Sequence, residues 1–192
     1  MNSNIPLSGD MTYEIEVLES SKQPIALQPN FQLEDMVDGQ CFYIVHQGKN
    51  KLEKFAIEVS DKDAYYPRKT GLYNIALYPF KGREKPNKAQ QWVYHSEDQT
   101  ISSMLHTAGA VFEGFNKNVV VYKNNRYDNQ RFKWHSHLRQ WTNAYTGRAL
   151  DVTTAPNLST GDNVITADIA YGSAGQKWDL VYCEEDHGHD HH

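Results

Sequence analysis

The sequence predicts an all-β protein whose strands come in three repeated units. Three strings share the pattern glutamine, any residue, large aromatic: Gln90-Gln91-Trp92, Gln130-Arg131-Phe132 and Gln176-Lys177-Trp178. Their glutamines are 40 and 46 residues apart, a spacing typical of a repeated supersecondary unit. Between about Gly39 and Glu184, apolar residues nowhere recur at helical spacing over a dozen positions. We therefore expect strands throughout this region.

Two further strings recur in the same order in every unit. The first alternates apolar residues as a half-buried strand does, and it occupies residues 56–59, 110–113 and 149–152. The second is aliphatic or β-branched, follows an asparagine each time, and occupies residues 75–78, 119–122 and 164–167. Each unit therefore holds several strands.

Composition and charge exclude several classes of protein. The 192 residues are enough for one domain with a hydrophobic core, and the 39% apolar and 12% aromatic content argues against disorder. The net charge of −5 does not favour a nucleic-acid surface. No apolar run reaches the roughly 18 residues of a membrane span, and residues 1–6 lack the order of a signal peptide. We therefore expect a cytoplasmic protein.

The chain divides into three parts on the same grounds. Residues 1–38 do not match a unit and are expected to be a short N-terminal extension, which could dock on a protein partner. Residues 39–184 form the repeat domain. Residues 185–192 are rich in histidine and aspartate and are expected to be a disordered tail. The tail's imidazoles can hold metal adventitiously, but we predict no specific metal site and no cofactor.

The three units resemble the repeats of the ricin B-type, or Gln-x-Trp, β-trefoil lectin family. The third unit matches best, because residues 146–152, 161–165 and 175–178 follow the family's repeat from end to end. The resemblance covers roughly three-quarters of the chain and implies a six-stranded barrel closed by a three-hairpin cap, with pseudo-threefold symmetry. In such a fold the motif aromatics lie in the core and the motif glutamines satisfy buried backbone groups. The residues concerned are Gln90, Trp92, Gln130, Phe132, Gln176 and Trp178.

The resemblance also implies what a sugar site needs from one unit. A carboxylate accepts hydrogen bonds from two hydroxyls, a ring stacks on the apolar face of the sugar, and an amide before the motif glutamine orients it. At these positions the first unit has Glu58, Tyr78 and Ala89, the second has Phe112, Tyr122 and Asn129, and the third has Asp151, Asp168 and Gly175. No unit is complete. Glu113 lies next to the second acid position, and Tyr171 replaces the third ring only if its loop folds back.

We therefore expect a non-catalytic, lectin-like protein that binds glycans weakly through partly degenerate sites. Glu58 with Tyr78 is the first candidate pair, Tyr122 with Asn129 the second, and Asp151 a third position, so that binding would be multivalent. The alternative is a structural, assembly or adaptor subunit that uses the trefoil for protein–protein contacts. Hydrolysis by paired acids has the least support, because no catalytic motif is found.

The cysteines and two histidines have simpler interpretations. Cys41 and Cys183 lie in the first and last strands of the repeat region, which the trefoil brings together, so a disulfide or two free thiols would both fit. The absence of a signal peptide favours free thiols. His135 and His137 share one face of a strand and are expected to be a surface pair rather than metal ligands.

Overall fold

The computed structural model describes residues 38–48 and 53–184. The strands are β1 Cys41–Gln47, β2 Lys54–Asp63, β3 Tyr73–Pro79, β4 Trp92–His95, β5 Thr100–Ser103, β6 Gly109–Glu113, β7 Val119–Lys123, β8 Phe132–His135, β9 Gln140–Asn143, β10 Ala149–Val152, β11 Val164–Ala167 and β12 Asp179–Tyr182. Short 3-10 helices occupy Lys88–Gln90, Phe115–Lys117, Asp128–Gln130 and Ala174–Gln176. The predicted all-β class is confirmed. The predicted extension, apart from residue 38, and the predicted tail lie outside the described residues.

The strands form two antiparallel sheets that backbone hydrogen bonds and isolated bridges connect. One sheet has the order β12-β1-β2-β3-β7-β6-β5-β4 and closes on itself through an additional β1–β4 pairing; the other has the order β11-β10-β9-β8. The amide of Phe132 donates to the carbonyl of Gln99, and the amide of Trp178 donates to the carbonyl of Arg139, both at 2.8 Å. These bonds join β8 to the end of the β4–β5 hairpin and β12 to the end of the β8–β9 hairpin. The sheets therefore leave few open edges.

Three hairpins, β2–β3, β6–β7 and β10–β11, meet at one end of the molecule. β3 pairs with β7, and isolated bridges join Ala76 to Asn163 and Asn118 to Ile165. The side-chain Nδ2 of Asn163 donates to Oδ1 of Asn118 at 2.8 Å, and Nδ2 of Asn118 donates to Oδ1 of Asn74 at 3.5 Å. The asparagine that precedes the aliphatic string in each unit therefore links the three hairpins.

The core lies between the hairpins and the remaining strands. Trp92, Phe132 and Trp178 are all 0% exposed and belong to one apolar cluster. The indole of Trp92 donates to the carbonyl of Ile57 and that of Trp178 donates to the carbonyl of Leu150. Burying a ring of this size stabilises the fold by about 1.5–3 kcal/mol. The motif aromatics therefore anchor each hairpin to the core.

No helix within the described ranges is long and apolar enough to cross a membrane.

Cys41 and Cys183 form a disulfide, so the expectation of free thiols is wrong. β1 and β12 pair antiparallel with Phe42 opposite Tyr182, and this register places the two cysteines opposite each other with their Cα atoms 5.4 Å apart. The amide of Cys183 also donates to the carbonyl of Cys41 at 3.0 Å. Free thiols were expected from the absence of a signal peptide, whereas the register of β1 and β12 brings the two cysteines together.

Replacing both cysteines by serine should lower the free energy of unfolding by about 2–4 kcal/mol, because the bond constrains a long loop in the unfolded chain. The two cysteines are 142 residues apart. Urea unfolding of the wild-type protein and of the double variant, each with and without reductant, measures the difference. Equal urea midpoints in all four samples would contradict a stabilising bond.

Candidate functional site

Glu58 and Tyr78 lie on the outer face of the β2–β3 hairpin. Glu58 is opposite Ala76, and Ala56 is opposite Tyr78. Because alternate residues of a strand point to opposite faces, Glu58 and Tyr78 share a face as diagonal neighbours. Ile57 occupies the other face and is fully buried. The alternation of β2 and β3 thus places the acid and the ring on the same outer face, while the face toward the core stays apolar.

The carboxylate of Glu58 is held by two amides through one of its oxygens. Oε1 accepts from Nδ2 of Asn87 at 3.0 Å and from Nε2 of Gln90 at 3.2 Å. Within the described ranges, no hydrogen bond reaches Oε2. Burial raises the pKa of Glu58, and the hydrogen bond from Gln90 and the positive charge of Lys81 oppose that rise. The site therefore offers an oriented carboxylate with one oxygen available to a ligand.

Asn87 is a site residue that the sequence analysis missed. The family pattern places an amide one position before the motif glutamine, where this chain has Ala89. In the structure the amide comes from Asn87, three positions before Gln90. Asn87 caps the short helix Lys88–Gln90, because its Oδ1 accepts from the amide of Ala89 at 3.0 Å. An asparagine just before a helical turn is a recognisable N-cap, and that signal was present in the sequence.

The side chains of the motif glutamines bind the backbone just after the aliphatic string of each unit, which occupies residues 75–78, 119–122 and 164–167. Each Nε2 donates to a backbone carbonyl there, and the acceptors are Pro79 for Gln90, Lys123 for Gln130 and Asp168 for Gln176, at 2.9–3.0 Å. These contacts tie the end of each hairpin to the strand that follows it. They satisfy polar groups that burial would otherwise leave unpaired.

Two of the glutamines also hold the acid of their unit. Gln90 donates to Glu58, and Gln176 donates to Oδ2 of Asp151 at 3.1 Å. In the second unit Phe112 stands at the acid position, and Gln130 donates to backbone carbonyls alone among the described residues. The motif glutamine therefore orients the carboxylate in each unit that has an acid at this position.

The second predicted pair lies in a packed region rather than at an open surface. Tyr122 is 7% exposed and packs edge-to-face against Phe112, with ring centroids 6.5 Å apart. Leu72 and Tyr127 complete this apolar cluster. Asn129 is 5% exposed and donates to the carbonyl of Glu113 at 3.3 Å. Phe112 thus fills the space at the position where the first unit has its acid.

Glu113 is occupied by contacts within the fold. Its carboxylate accepts from the guanidinium of Arg148 at 3.1 Å and from the hydroxyls of Thr146 and Thr166. The side chain is 4% exposed. It therefore joins the second unit to the third and does not replace the missing acid.

The third unit has an acid but no ring beside it. In the first unit Tyr78, the ring, is opposite Ala56. In the third unit the equivalent alanine is Ala149, and it is opposite Ala167. Ala167, and not Asp168, therefore stands at the ring position. A Cβ atom added at Gly175 would lie 2.2 Å from Oδ1 of Asp151, which leaves no room for an amide side chain. Tyr171 lines a separate cleft that does not include Asp151. It does not supply the missing ring.

The architecture of the chain is similar to that of several solved structures. One is the C-terminal half of an earthworm R-type lectin in complex with GalNAc, with 13% identity over 74% of this chain and 98% of that one, at a TM-score of 0.57. Another is the β-trefoil lectin of the Vibrio vulnificus hemolysin/cytolysin with N-acetyl-D-lactosamine bound, with 11% identity over 76% and 96% and a TM-score of 0.56. The chain has the β-trefoil fold. Abrus precatorius agglutinin also matches, with 18% identity over 75% of this chain and 47% of that one, at a TM-score of 0.55.

The expected likeness to the ricin B-type β-trefoil lectins is therefore confirmed at the level of fold. No family model matches the trefoil sequence, and no curated protein matches it in sequence. The low identity agrees with the structure, because a trefoil requires the buried alternation and the motif contacts but leaves most outer positions free to differ.

The described part of the trefoil contains no group of three histidine, cysteine or acidic side chains that could hold a metal ion. Nε2 of His135 forms a hydrogen bond with the hydroxyl of Thr142 at 2.8 Å. The histidines of the predicted tail are outside the described residues.

Replacing Gly175 by alanine should destabilise the trefoil by about 1–3 kcal/mol, because the new Cβ would collide with Asp151 and with Ala155. Thermal unfolding measures this loss. Gly82→Ala is a useful comparison because no atom lies within 4 Å of its added Cβ, although its positive φ adds a backbone cost. A Gly175 variant as stable as the wild type would show that the third site is not closed by packing.

Proposed function

We propose that this trefoil is a non-catalytic, lectin-like protein that binds glycans through its first unit. The observation that carries the proposal is the Glu58 carboxylate, which Asn87 and Gln90 hold by Oε1 while Oε2 has no partner in the described part of the chain. Tyr78 lies on the same face. The carboxylate, ring and amide that a sugar requires are therefore adjacent.

The groups of the first unit suit a sugar ring in both polarity and shape. A carboxylate oxygen accepts a charge-assisted hydrogen bond from a hydroxyl, which is about twice as strong as a neutral one. The half-buried Tyr78 ring can cover the apolar face of the sugar, and such ring contacts contribute about 0.5–1.5 kcal/mol. Solved structures that resemble this fold carry GalNAc or N-acetyl-D-lactosamine, so galactose-type sugars are the first ligands to test.

The three-repeat interpretation of the trefoil belongs to the same proposal. It is supported by motif glutamines that bond equivalent carbonyls and by alanines opposite the ring position in each hairpin. Only the first repeat has both an acid and a ring on its outer face. We therefore propose weak binding at that repeat, and the expected multivalency stays a prediction.

The remaining predictions concern the whole chain. The division at residues 39 and 184, and docking of a protein partner through residues 1–38, stay predictions. So does the cytoplasmic location, against which the Cys41–Cys183 disulfide weighs, because such bonds persist mainly in oxidising compartments.

Replacing Tyr78 by alanine should weaken glycan binding about three- to tenfold without unfolding the protein, because the ring is only half-buried. Binding on a glycan array and titration with the strongest sugar measure the change. Tyr66→Ala is the matched control, since that ring is 67% exposed on the loop between β2 and β3. Unchanged binding by the Tyr78 variant would rule out this site.

Glycan affinity should fall as the pH is lowered, because protonation removes the negative charge that strengthens the hydrogen bonds from the sugar hydroxyls. Burial raises the pKa of Glu58, so the loss should begin at a higher pH than for an ordinary glutamate and be complete below the raised value. Titrations across the acidic range measure the profile. Glu58→Gln should bind weakly with no such pH dependence, and a variant profile that follows the wild type would contradict the assignment.

A further inference from the structure

A second concave surface lies outside the three positions at which the family resemblance places sugars. It is a cleft of about 380 Å³ along the outer side of the β8–β9 hairpin. Its lining includes Lys133 and His135 from β8, Gln140 and Thr142 from β9, and Ile169 and Tyr171 from the loop after β11. Ligand sites in proteins commonly have volumes of about 300–1,000 Å³, so this cleft is large enough for one small ring.

The hydrogen bonds around Gln140 leave one buried acceptor without a donor. Nε2 of Gln176 donates to Asp151 and to the carbonyl of Asp168, so its Oε1 must be the atom that accepts from the amide of Ala170. Nε2 of Gln140 donates to that same Oε1 at 3.0 Å. The orientation of Gln140 is thereby fixed, and its own Oε1 is buried with no hydrogen-bond partner in the described ranges.

An unpaired buried acceptor favours a ligand that brings a donor. Leaving such a group without a partner costs about 1–3 kcal/mol. Oε1 exposes almost no surface, so the Gln140 side chain must shift slightly toward the cleft that it lines before a ligand hydroxyl can reach it. That bond would recover part of the cost. Thr142 and His135 form a hydrogen-bonded pair on the same hairpin, with 2.8 Å between Oγ1 and Nε2. A hydroxyl has further hydrogen-bonding capacity beyond one partner, so this pair provides a second polar contact.

The rim of the cleft is apolar and exposed. Tyr171 is 78% exposed, and Leu138 and Ile169 are 44% and 40% exposed, although all three line the cleft. Large exposed apolar side chains grouped around a concavity are typical of a binding site. The β8–β9 hairpin supplies the polar groups of the lining and the loop after β11 supplies the aromatic ring, and a sugar ring has both a polar and an apolar face.

We propose that this cleft binds one monosaccharide unit of a glycan, with a hydroxyl donating to Oε1 of Gln140 and the ring of the sugar against Tyr171. This site is additional to the Glu58 site of the proposed function and uses none of its residues. The two sites would let a single chain contact a glycan at two places.

The test is a titration of the isotope-labelled full chain with galactose, N-acetylgalactosamine, glucose, N-acetylglucosamine and mannose, followed by amide NMR. At least one sugar should shift the signals of Thr142, Ile169 and the side-chain amide of Gln140. Tyr171→Ala should weaken that response about three- to tenfold. Tyr66→Ala, which removes another largely exposed ring that does not line the cleft, should leave it unchanged.

The Glu58→Gln variant separates this proposal from the proposed function. Cleft signals that still shift in that variant and weaken in Tyr171→Ala would establish an independent second site, whether or not the first unit binds. No cleft shifts with any of the five sugars, shifts lost in Glu58→Gln, or unchanged affinity in Tyr171→Ala would each overturn it.

Discussion

The structure depends on one contact made three times, the hydrogen bond from a buried glutamine side-chain amide to a backbone carbonyl at the end of each hairpin. The donors are Gln90, Gln130 and Gln176, and each is at most 2% exposed. A hairpin alone is marginally stable in water. Each of these hairpins is held by its glutamine at one end and by the neighbouring aromatic in the core. The trefoil thus combines a polar and an apolar anchor within three residues.

The same glutamine links the fold to the candidate binding site. In the first and third units it reaches the acid of the hairpin as well as the backbone, so the carboxylate is oriented by a bond that folding already requires. The second unit keeps the glutamine but has Phe112 in place of the acid, and an apolar cluster covers the position. Binding groups can therefore be lost from one unit without loss of the fold.

Much of the fold could be predicted from the sequence, because strand alternation and the Gln-x-aromatic strings are local patterns with a direct structural cause. The binding groups on the outer faces of the hairpins were harder to predict. Asn87 lies three positions before its glutamine, where helix capping and not the family spacing determines its role. The ring position of the third unit was misassigned by one residue, although the string 164–167 already aligns its last residue with Tyr78 and Tyr122. The pairing of Ala149 with Ala167 shows the correct position. The Cys41–Cys183 bond likewise depends on a register between strands at opposite ends of the region.

The third unit shows how one network can connect two surfaces. Asp151 bonds Gln176, and Gln176 in turn accepts from Gln140, which lines the cleft beside Tyr171. Three contacts set the orientation of Gln176, because the backbone amide of Ala170 donates to its Oε1 and its Nε2 donates to the carbonyl of Asp168 as well as to Asp151. Loss of the ring and amide beside Asp151 therefore does not leave its carboxylate without a role. It is one of the three groups that hold Gln176, and Gln176 in turn accepts from Gln140.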